Sequence, residues 1–248
     1  MARSTSVKQG QKPRITARVV QRDFRRLADP GIAAHSARFF KTGKGEYGEG
    51  DHFLGIRVPE TRRAARRYRL APLRTVNTLL RSRYHEERLM ALLILVDQYA
   101  RGSASERRRI FDNYLAHRRH INNWDLVDSS AHKIVGSELQ DAPRGLLYEL
   151  AASEVLWDRR IAVIATFHFI RNDDFADALR LAELLLEDEH DLIHKAVGWM
   201  LREIGNRDGA VERSFLESHY RQMPRTMLRY AIEKFPDPER KAWLNGTV

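Results

Sequence analysis

The chain has 248 residues, 43 Lys plus Arg against 33 Asp plus Glu, a formal charge of +10 and no Cys. This length supports one large domain or two small ones with a sizeable core. The lack of Cys excludes disulfides, Cys-ligated zinc, a Cys-held iron–sulfur cluster and a thiol nucleophile. The basic excess points to a polyanionic partner. Only eight of the basic residues are Lys, and the Arg that supply the rest carry a guanidinium fork that matches phosphate and stacks on bases. A GC-rich genome would explain the Arg-to-Lys ratio but not the excess of base over acid.

In chain order, residues 1–12 read as a disordered basic tail. They have no apolar h-region, so a secretory signal is not expected, and no later stretch approaches the roughly eighteen apolar residues of a membrane span. The expected location is the cytoplasm, at the nucleoid. From residue 13 onward helical periodicity runs almost throughout and strand alternation is nearly absent. It predicts helices near 14–28, 31–40, 59–69, 72–80, 84–100, 105–117, 123–136, 144–152, 156–170, 173–187, 191–204, 208–219, 224–235 and 238–244. Pro59, Pro72, Asp173, Asp191, Pro224 and Pro238 mark helix starts. The segment 41–52, KTGKGEYGEGDH, has four Gly and no apolar face and reads as a loop. It lacks the order of a phosphate-binding P-loop. Charge is uneven. Residues 1–30 hold eight basic residues against two acidic ones, whereas 173–191 holds eight carboxylates and one Arg, which predicts a basic side and an acidic side.

A weak repeat runs through the helices. Small residues follow a basic or aliphatic run at Ala91, Ala162, Gly198 and Ala231, at spacings of 71, 36 and 33, with Val127 near the midpoint of the first gap. A period near 35 fits stacked helix pairs, somewhat shorter than the roughly 40–47 residues of HEAT repeats. Such pairs bury their apolar faces only by stacking. The predicted architecture is therefore a single all-α domain over 13–248, an α-solenoid whose concave face is a basic binding groove.

The densest chemical candidate is NNWDLVDSS at 122–130. Asn123 reads as an N-cap. Trp124 and Asp128 are i, i+4 and share a face, while Val127 and Ala131 face the core. A Trp beside a carboxylate can receive a cation; a packed Trp with a solvated Asp has the same spacing. In LWDRR at 156–160, Trp157 and Arg160 lie together, and Arg160 either clamps a phosphate or carboxylate or pairs locally with Glu154 or Asp158. In KAVGW at 195–199, Lys195 and Trp199 share a face, and Gly198 inside a helix permits close approach by a neighbour. Arg62, Arg63, Arg66 and Arg67 form i, i+4 stripes that read as a phosphate track or a solvated face. Two further basic clusters lie at 107–109 and 118–120. His190 and His194 are i, i+4 without further ligands, so no metal site is expected.

FLGIRVPETRR at 53–63, NNWDLVDSS at 122–130, LWDRRIAVIATF at 156–167 and HKAVGWMLREIG at 194–205 together resemble the AlkD-like family of DNA alkylation repair proteins, from about Ala17 to Phe235. The resemblance implies a HEAT-like solenoid holding duplex DNA, and a monofunctional DNA glycosylase that releases cationic N3- or N7-alkylated purines. By position it implies Asp128 as the catalytic carboxylate, Trp124 and Trp199 as aromatic walls and Arg160 as the active-site arginine. Phe39 stands where some members carry a Tyr, and the 41–52 loop is longer than in the shortest members. Trp157, Arg159, Lys195 and Arg202 join the Arg62–Arg67 stripe as expected DNA-binding residues. No cofactor is implied, the partner is double-stranded DNA carrying alkylated purines, and a monomer is expected. The alternative is a non-catalytic solenoid binding damaged or branched DNA, a branch in which the active-site set has changed.

Overall fold

Side-chain caps start several of the helices. The computed structural model describes residues 15–248, so the basic tail expected over 1–12 lies outside the described residues. Thr16 caps α1 (Ala17–Arg25) by accepting from the Val19 amide. Asp29 caps α2 (Pro30–Phe39), where Pro30 takes the first position that needs no N–H. Then follow α3 (Val58–Arg67), α4 (Leu73–Leu80), α5 (His85–Arg101), α6 (Ala104–Ala116) and α7 (Trp124–Ala131), the last capped by Asn123. The second half holds α8 (Gly145–Ala151), α9 (Leu156–Ala165), α10 (Phe167–Ile170), α11 (Ala176–Leu184) and α12 (Asp191–Gly205). It closes with α13 (Gly209–His219), α14 (Arg225–Ala231) and α15 (Asp237–Asn245). The fold is all-α: among the described residues there is no strand, only an isolated bridge between His52 and Tyr84. No helix among them is long and apolar enough to cross a membrane.

Three expected helices differ. The 123–136 helix changes at His132 into a π-helical turn, His132–Gly136. The 156–170 helix breaks between α9 and α10 at buried Thr166, whose hydroxyl donates to the Val163 carbonyl at 2.7 Å, a side-chain bond that competes with the helix ladder. Asp173 does not start a helix. It sits in a left-handed turn, φ 59°, with its carboxylate turned to Arg207 at 2.7 Å, and α11 begins three residues later.

Helices α3, α5, α7, α9, α12 and α14 pack side by side in chain order. Behind them α4 and α6 back α5, α8 backs α9, and α11 and α13 back α12. One continuous apolar core runs from Val20 to Trp243 between these layers. The repeat seen in the sequence maps onto this serial layer: Ala91, Ala162, Gly198 and Ala231 fall on α5, α9, α12 and α14, and all four are buried.

The acidic stretch is only partly free: Glu183, Glu187 and Glu189 are exposed, while other carboxylates of the run are paired. Asp174 and Asp177 pair with Arg144, each at 2.7 Å, and Asp188 pairs with Arg159 at 2.7 Å. Asp191 pairs with Lys195 at 2.6 Å. Asp174, Asp177 and Asp188 thus neutralise arginines of neighbouring segments, and Asp191 a lysine of its own helix.

Gly198 marks a close helix approach. A Cβ there would stand 2.4 Å from the Met227 carbonyl oxygen and 2.6 Å from the Tyr230 Cβ, so α12 and α14 meet backbone to backbone. Ala normally stabilises a helix over Gly by about 1 kcal/mol. Gly198→Ala is expected to reverse that sign and destabilise by roughly 1–3 kcal/mol through overpacking. Calorimetric melting checks it, and a raised Tm in the variant would contradict the close approach.

Candidate active site

Helix geometry sets the floor of the site. Asn123 accepts from the Trp124 amide at 2.8 Å to open α7, and one turn later Asp128 emerges on the same face as Trp124. Val127 and Ala131, on the adjoining stripe of the helix, are fully buried. From α9 comes Arg160, only 4% exposed. Its Nε and Nη2 donate to the two carboxylate oxygens of Asp128 at 2.9 and 2.8 Å, and its Nη1 donates to the Leu192 carbonyl at the start of α12. All three guanidinium nitrogens are engaged by the carboxylate and the carbonyl, so Arg160 holds Asp128 in place. Burial pushes the Asp128 carboxyl above its ordinary value, the Arg160 charge and hydrogen bonds pull it back, and nearby Asp125 adds to the rise.

This pair opens onto a groove of about 500 Å³ lined by Trp124, Asp128, Arg160, Leu192 and Trp199. The Trp199 indole N–H donates to Glu203 at 2.8 Å, which fixes the ring, and Phe167 packs against it at 5.8 Å between centroids. Trp124 is held on two sides, stacked on Phe40 at 5.3 Å and edge-on to Phe39 at 6.0 Å. A clamped carboxylate between two fixed indole rings can stabilise a cation developing in the groove.

Residues 20–235 match the family model described as DNA alkylation repair enzyme. The chain belongs to the DNA alkylation repair enzyme family. Among solved structures it is similar to a predicted DNA alkylation repair enzyme from Enterococcus faecalis, with a TM-score of 0.65 at 17% identity, covering 85% of this chain and 98% of that one. At that identity the likeness speaks for the fold. Among curated proteins none matches the chain. Membership in the family makes DNA the substrate and repair of alkylation damage the role.

In this member of the family the other expected residues divide. Lys195 and Arg202 line the groove, Lys195 paired with Asp191 and Arg202 with Glu203 and Glu233. Trp157 stands beside it, edge-on to Tyr47 at 6.1 Å. Arg159 turns away: its Nε donates to Asp188 at 2.7 Å and its Nη1 to the Ser153 and Glu154 carbonyls. In the α3 stripe Arg63 pairs with Glu60 at 2.6 Å and Arg67 reaches Asp23 at 3.7 Å, whereas Arg62 and Arg66 are exposed without an ion pair among the described residues. His190 and His194 have local work, the His190 ring accepting from the Leu192 amide and the His194 ring meeting the Asp188 carbonyl.

The groove also holds residues that the spacing argument passes over. Lys41 and Tyr47 enter from the 41–52 loop and Tyr230 from α14. The loop turns through left-handed positions at Lys41, Gly45 and Gly50, and such turns carry no periodic signal. Its Gly content was the one available clue. A buried ionic cluster anchors the loop's end. His85, 2% exposed, meets Asp51 through Nδ1 at 3.1 Å and Asp125 through Nε2 at 2.8 Å, and Arg88 holds the other Asp51 oxygen at 2.6 Å. Phe53 stacks on the His85 ring at 4.7 Å and on Phe40 at 5.1 Å, so the column ends at Trp124. Burial disfavours the charged ring, but Asp125 and Asp51 outweigh it and raise the His85 pKa to about 9.

Because the folded value lies above the unfolded one of about 6.5, the stability that His85 contributes is full below about pH 6.5 and is lost as pH rises through about 9. His85→Gln should therefore lower Tm most at pH 6.5 or below, with the gap to wild type narrowing toward pH 9 and above. Paired thermal melts across that range test it. Taking the difference cancels other groups that titrate there, such as buried Glu212, pushed up to about 8. A gap independent of pH would mean the ring is not held as its cation.

Proposed function

We propose that the protein is a monofunctional DNA glycosylase that hydrolyses the N-glycosidic bond of cationic N3- or N7-alkylated purines in duplex DNA, opening base-excision repair of alkylation damage. The observation that carries this reading is Asp128, both of whose oxygens are held by a buried Arg160 at the wall of an open groove between two indole rings. The architecture we propose is a single HEAT-like α-solenoid, acting as a monomer in the cytoplasm, with the serial layer of helices as its concave, DNA-facing side.

The chemistry follows from the leaving group. Alkylation at N3 or N7 gives the purine a positive charge, so the bond from C1′ breaks with its electron pair going to the base and neutralising it. No protonated acid has to assist. The sugar becomes oxocarbenium-like, and the Asp128 carboxylate stabilises that charge and orients the water whose oxygen bonds to C1′, the proton leaving to solvent. Trp124 and Trp199 present π faces to the cationic nucleotide. Arg160 favours the anionic form of Asp128 and aims it. Lys195 is held protonated chiefly by its hydrogen bond to Asp191, which pushes its pKa up, so it makes a poor Schiff-base nucleophile and the reaction stops at hydrolysis. Arg62 and Arg66 are the members of the α3 stripe available to phosphates.

Release of 7-methylguanine or 3-methyladenine from methylated duplex DNA tests this. Wild type is expected to release base, and Asp128→Asn to be slower by about 10²–10³, the typical loss for one electrostatic stabiliser. Because burial raises the Asp128 pKa, the wild-type rate should fall on acidification at a pH above the ordinary carboxylate range. Tight binding to DNA with no base released would instead favour a non-catalytic binder.

A further inference from the structure

Several arginines that connect neighbouring helix pairs have a carboxylate partner, as Arg118 has Asp158, Arg144 has Asp174 and Asp177, and Arg159 has Asp188. A clustered group of basic side chains has none. Lys133, Arg171, Arg107 and His168 line a second open cavity of about 500 Å³, and among the described residues none of them forms an ion pair with a carboxylate. Glu138, a neighbouring carboxylate, accepts from the Tyr99 hydroxyl at 2.7 Å. Asp141 acts weakly on His168, against burial and two arginines that hold that ring below its usual pKa.

The chain builds this grouping deliberately. Lys133 sits in the π-helical turn that follows α7, a break in regular winding that re-aims side chains and recurs at functional positions. Gly136 ends the turn. A Cβ there would stand 2.2 Å from the Ala165 carbonyl oxygen and 2.7 Å from the His168 Cβ, so only Gly lets the turn close onto the end of α9 and the start of α10. That closure sets Lys133 beside His168 and Arg171. The guanidinium groups are oriented by aromatic faces instead of carboxylates: Arg171 lies over Phe167 at 5.9 Å and Arg107 over Tyr99 at 5.8 Å. Such contacts hold a cation without neutralising it. Lys133 is half-buried, and burial together with the charges of Arg62 and Arg171 lowers its pKa. The repulsion is left uncompensated by the protein itself, which is the electrostatic signature of an anion site.

Its place in the fold identifies the anion. Lys133 follows Asp128 by five residues, in the π-helical turn that continues directly from α7. Phe167, under Arg171, is the same ring that packs on Trp199, so one side chain links a lining residue of each cavity. We propose that Lys133, Arg171 and Arg107 form a second site, which grips a backbone phosphodiester of the duplex beside the Asp128 groove. This rests on the reading of that groove as a DNA site. The lesion-side residues supply chemistry, and the cation cluster supplies sequence-independent grip and register.

The test is binding of an undamaged duplex by fluorescence anisotropy at salt concentrations from about 50 to 200 mM, for wild type and the Lys133→Gln/Arg171→Gln double variant. The variant is expected to bind about tenfold more weakly at 0.1 M salt, with its log–log salt slope reduced by about one to two. Its rate of base release at saturating enzyme should match wild type, since Asp128 and Arg160 are untouched. Lys133→Arg/Arg171→Lys keeps both charges and should keep affinity and slope. Unchanged affinity and slope in the Gln variant, with wild type still binding DNA and releasing base, would overturn the second site alone. Equal losses in the charge-keeping variant would overturn it too, by assigning the effect to packing. A wild type that neither binds DNA nor releases base would fail the underlying glycosylase reading instead.

Discussion

Arg160 joins three successive helices of the serial layer. Its guanidinium meets Asp128 on α7 and the Leu192 carbonyl on α12, each 32 residues away in sequence, while its own stem sits in α9. Taking a guanidinium and a carboxylate out of water costs several kcal/mol per ion. The cost is offset only where geometry is good and the remaining hydrogen-bonding capacity is filled, and here a two-point pairing and a carbonyl do both. The register of α7, α9 and α12 and the aim of the carboxylate are thus set by one interaction. An error in helix packing would misplace Asp128, and loss of Asp128 would strand a buried cation.

The same stitching recurs along the chain at similar sequence distances. Asn77 and Asn113 exchange hydrogen bonds 36 residues apart, Arg207 reaches Asp173 across 34, and Arg144 reaches Asp174 across 30. Each polar tie joins one helix pair to the next, in step with the period near 35 carried by the small residues. These ties decide what the charge of +10 can do. Five carboxylates of the run at 173–191 pair with Arg144, Arg159, Lys195 and Arg207, so much of the basic field comes from cations that the ties leave over. Arg62, Arg66, Arg107, Lys133 and Arg171 are among them. A total charge names no partner; the positions of uncompensated charge point to an extended polyanion laid along one face.

Periodicity made most helices legible, and Trp124 with Asp128 was legible as a pair because one turn separates them. Gly198 was also legible, since a Gly inside an otherwise good helix has to answer a packing need. The partner of Arg160 was not. Local spacing offered Glu154 and Asp158 as readily, and Asp158 in fact meets Arg118 at 3.1 Å. Only tertiary stacking, or the family resemblance, brings residue 128 to residue 160. Arg159 shows the same limit from the other direction. It looks like its neighbour in sequence, yet a rotation of about 100° per residue sends it to Asp188 on the far side. Tyr47 was illegible for a third reason: it rides on a loop whose shape comes from left-handed turns and from the Asp51–His85 anchor, neither of which leaves a periodic trace.

The buried cluster under Trp124 bears on how little acid–base machinery the proposed reaction needs. His85 is the histidine nearest the aromatic column, and both its nitrogens are engaged by carboxylates. A ring so held, with a pKa near 9, is a structural cation rather than a proton shuttle. For a leaving group that already carries positive charge this is no loss, because the barrier lies in the sugar, where fixed negative charge and fixed π faces act without any proton changing hands. Preorganisation is then the whole requirement. His85 contributes to it by tying Asp125, the residue after Trp124, to the loop that closes the groove, while Phe53 and Phe40 fill the space between the imidazolium and the indole. The Trp124 face is therefore in place before a substrate arrives, and none of the binding energy has to be used in ordering it.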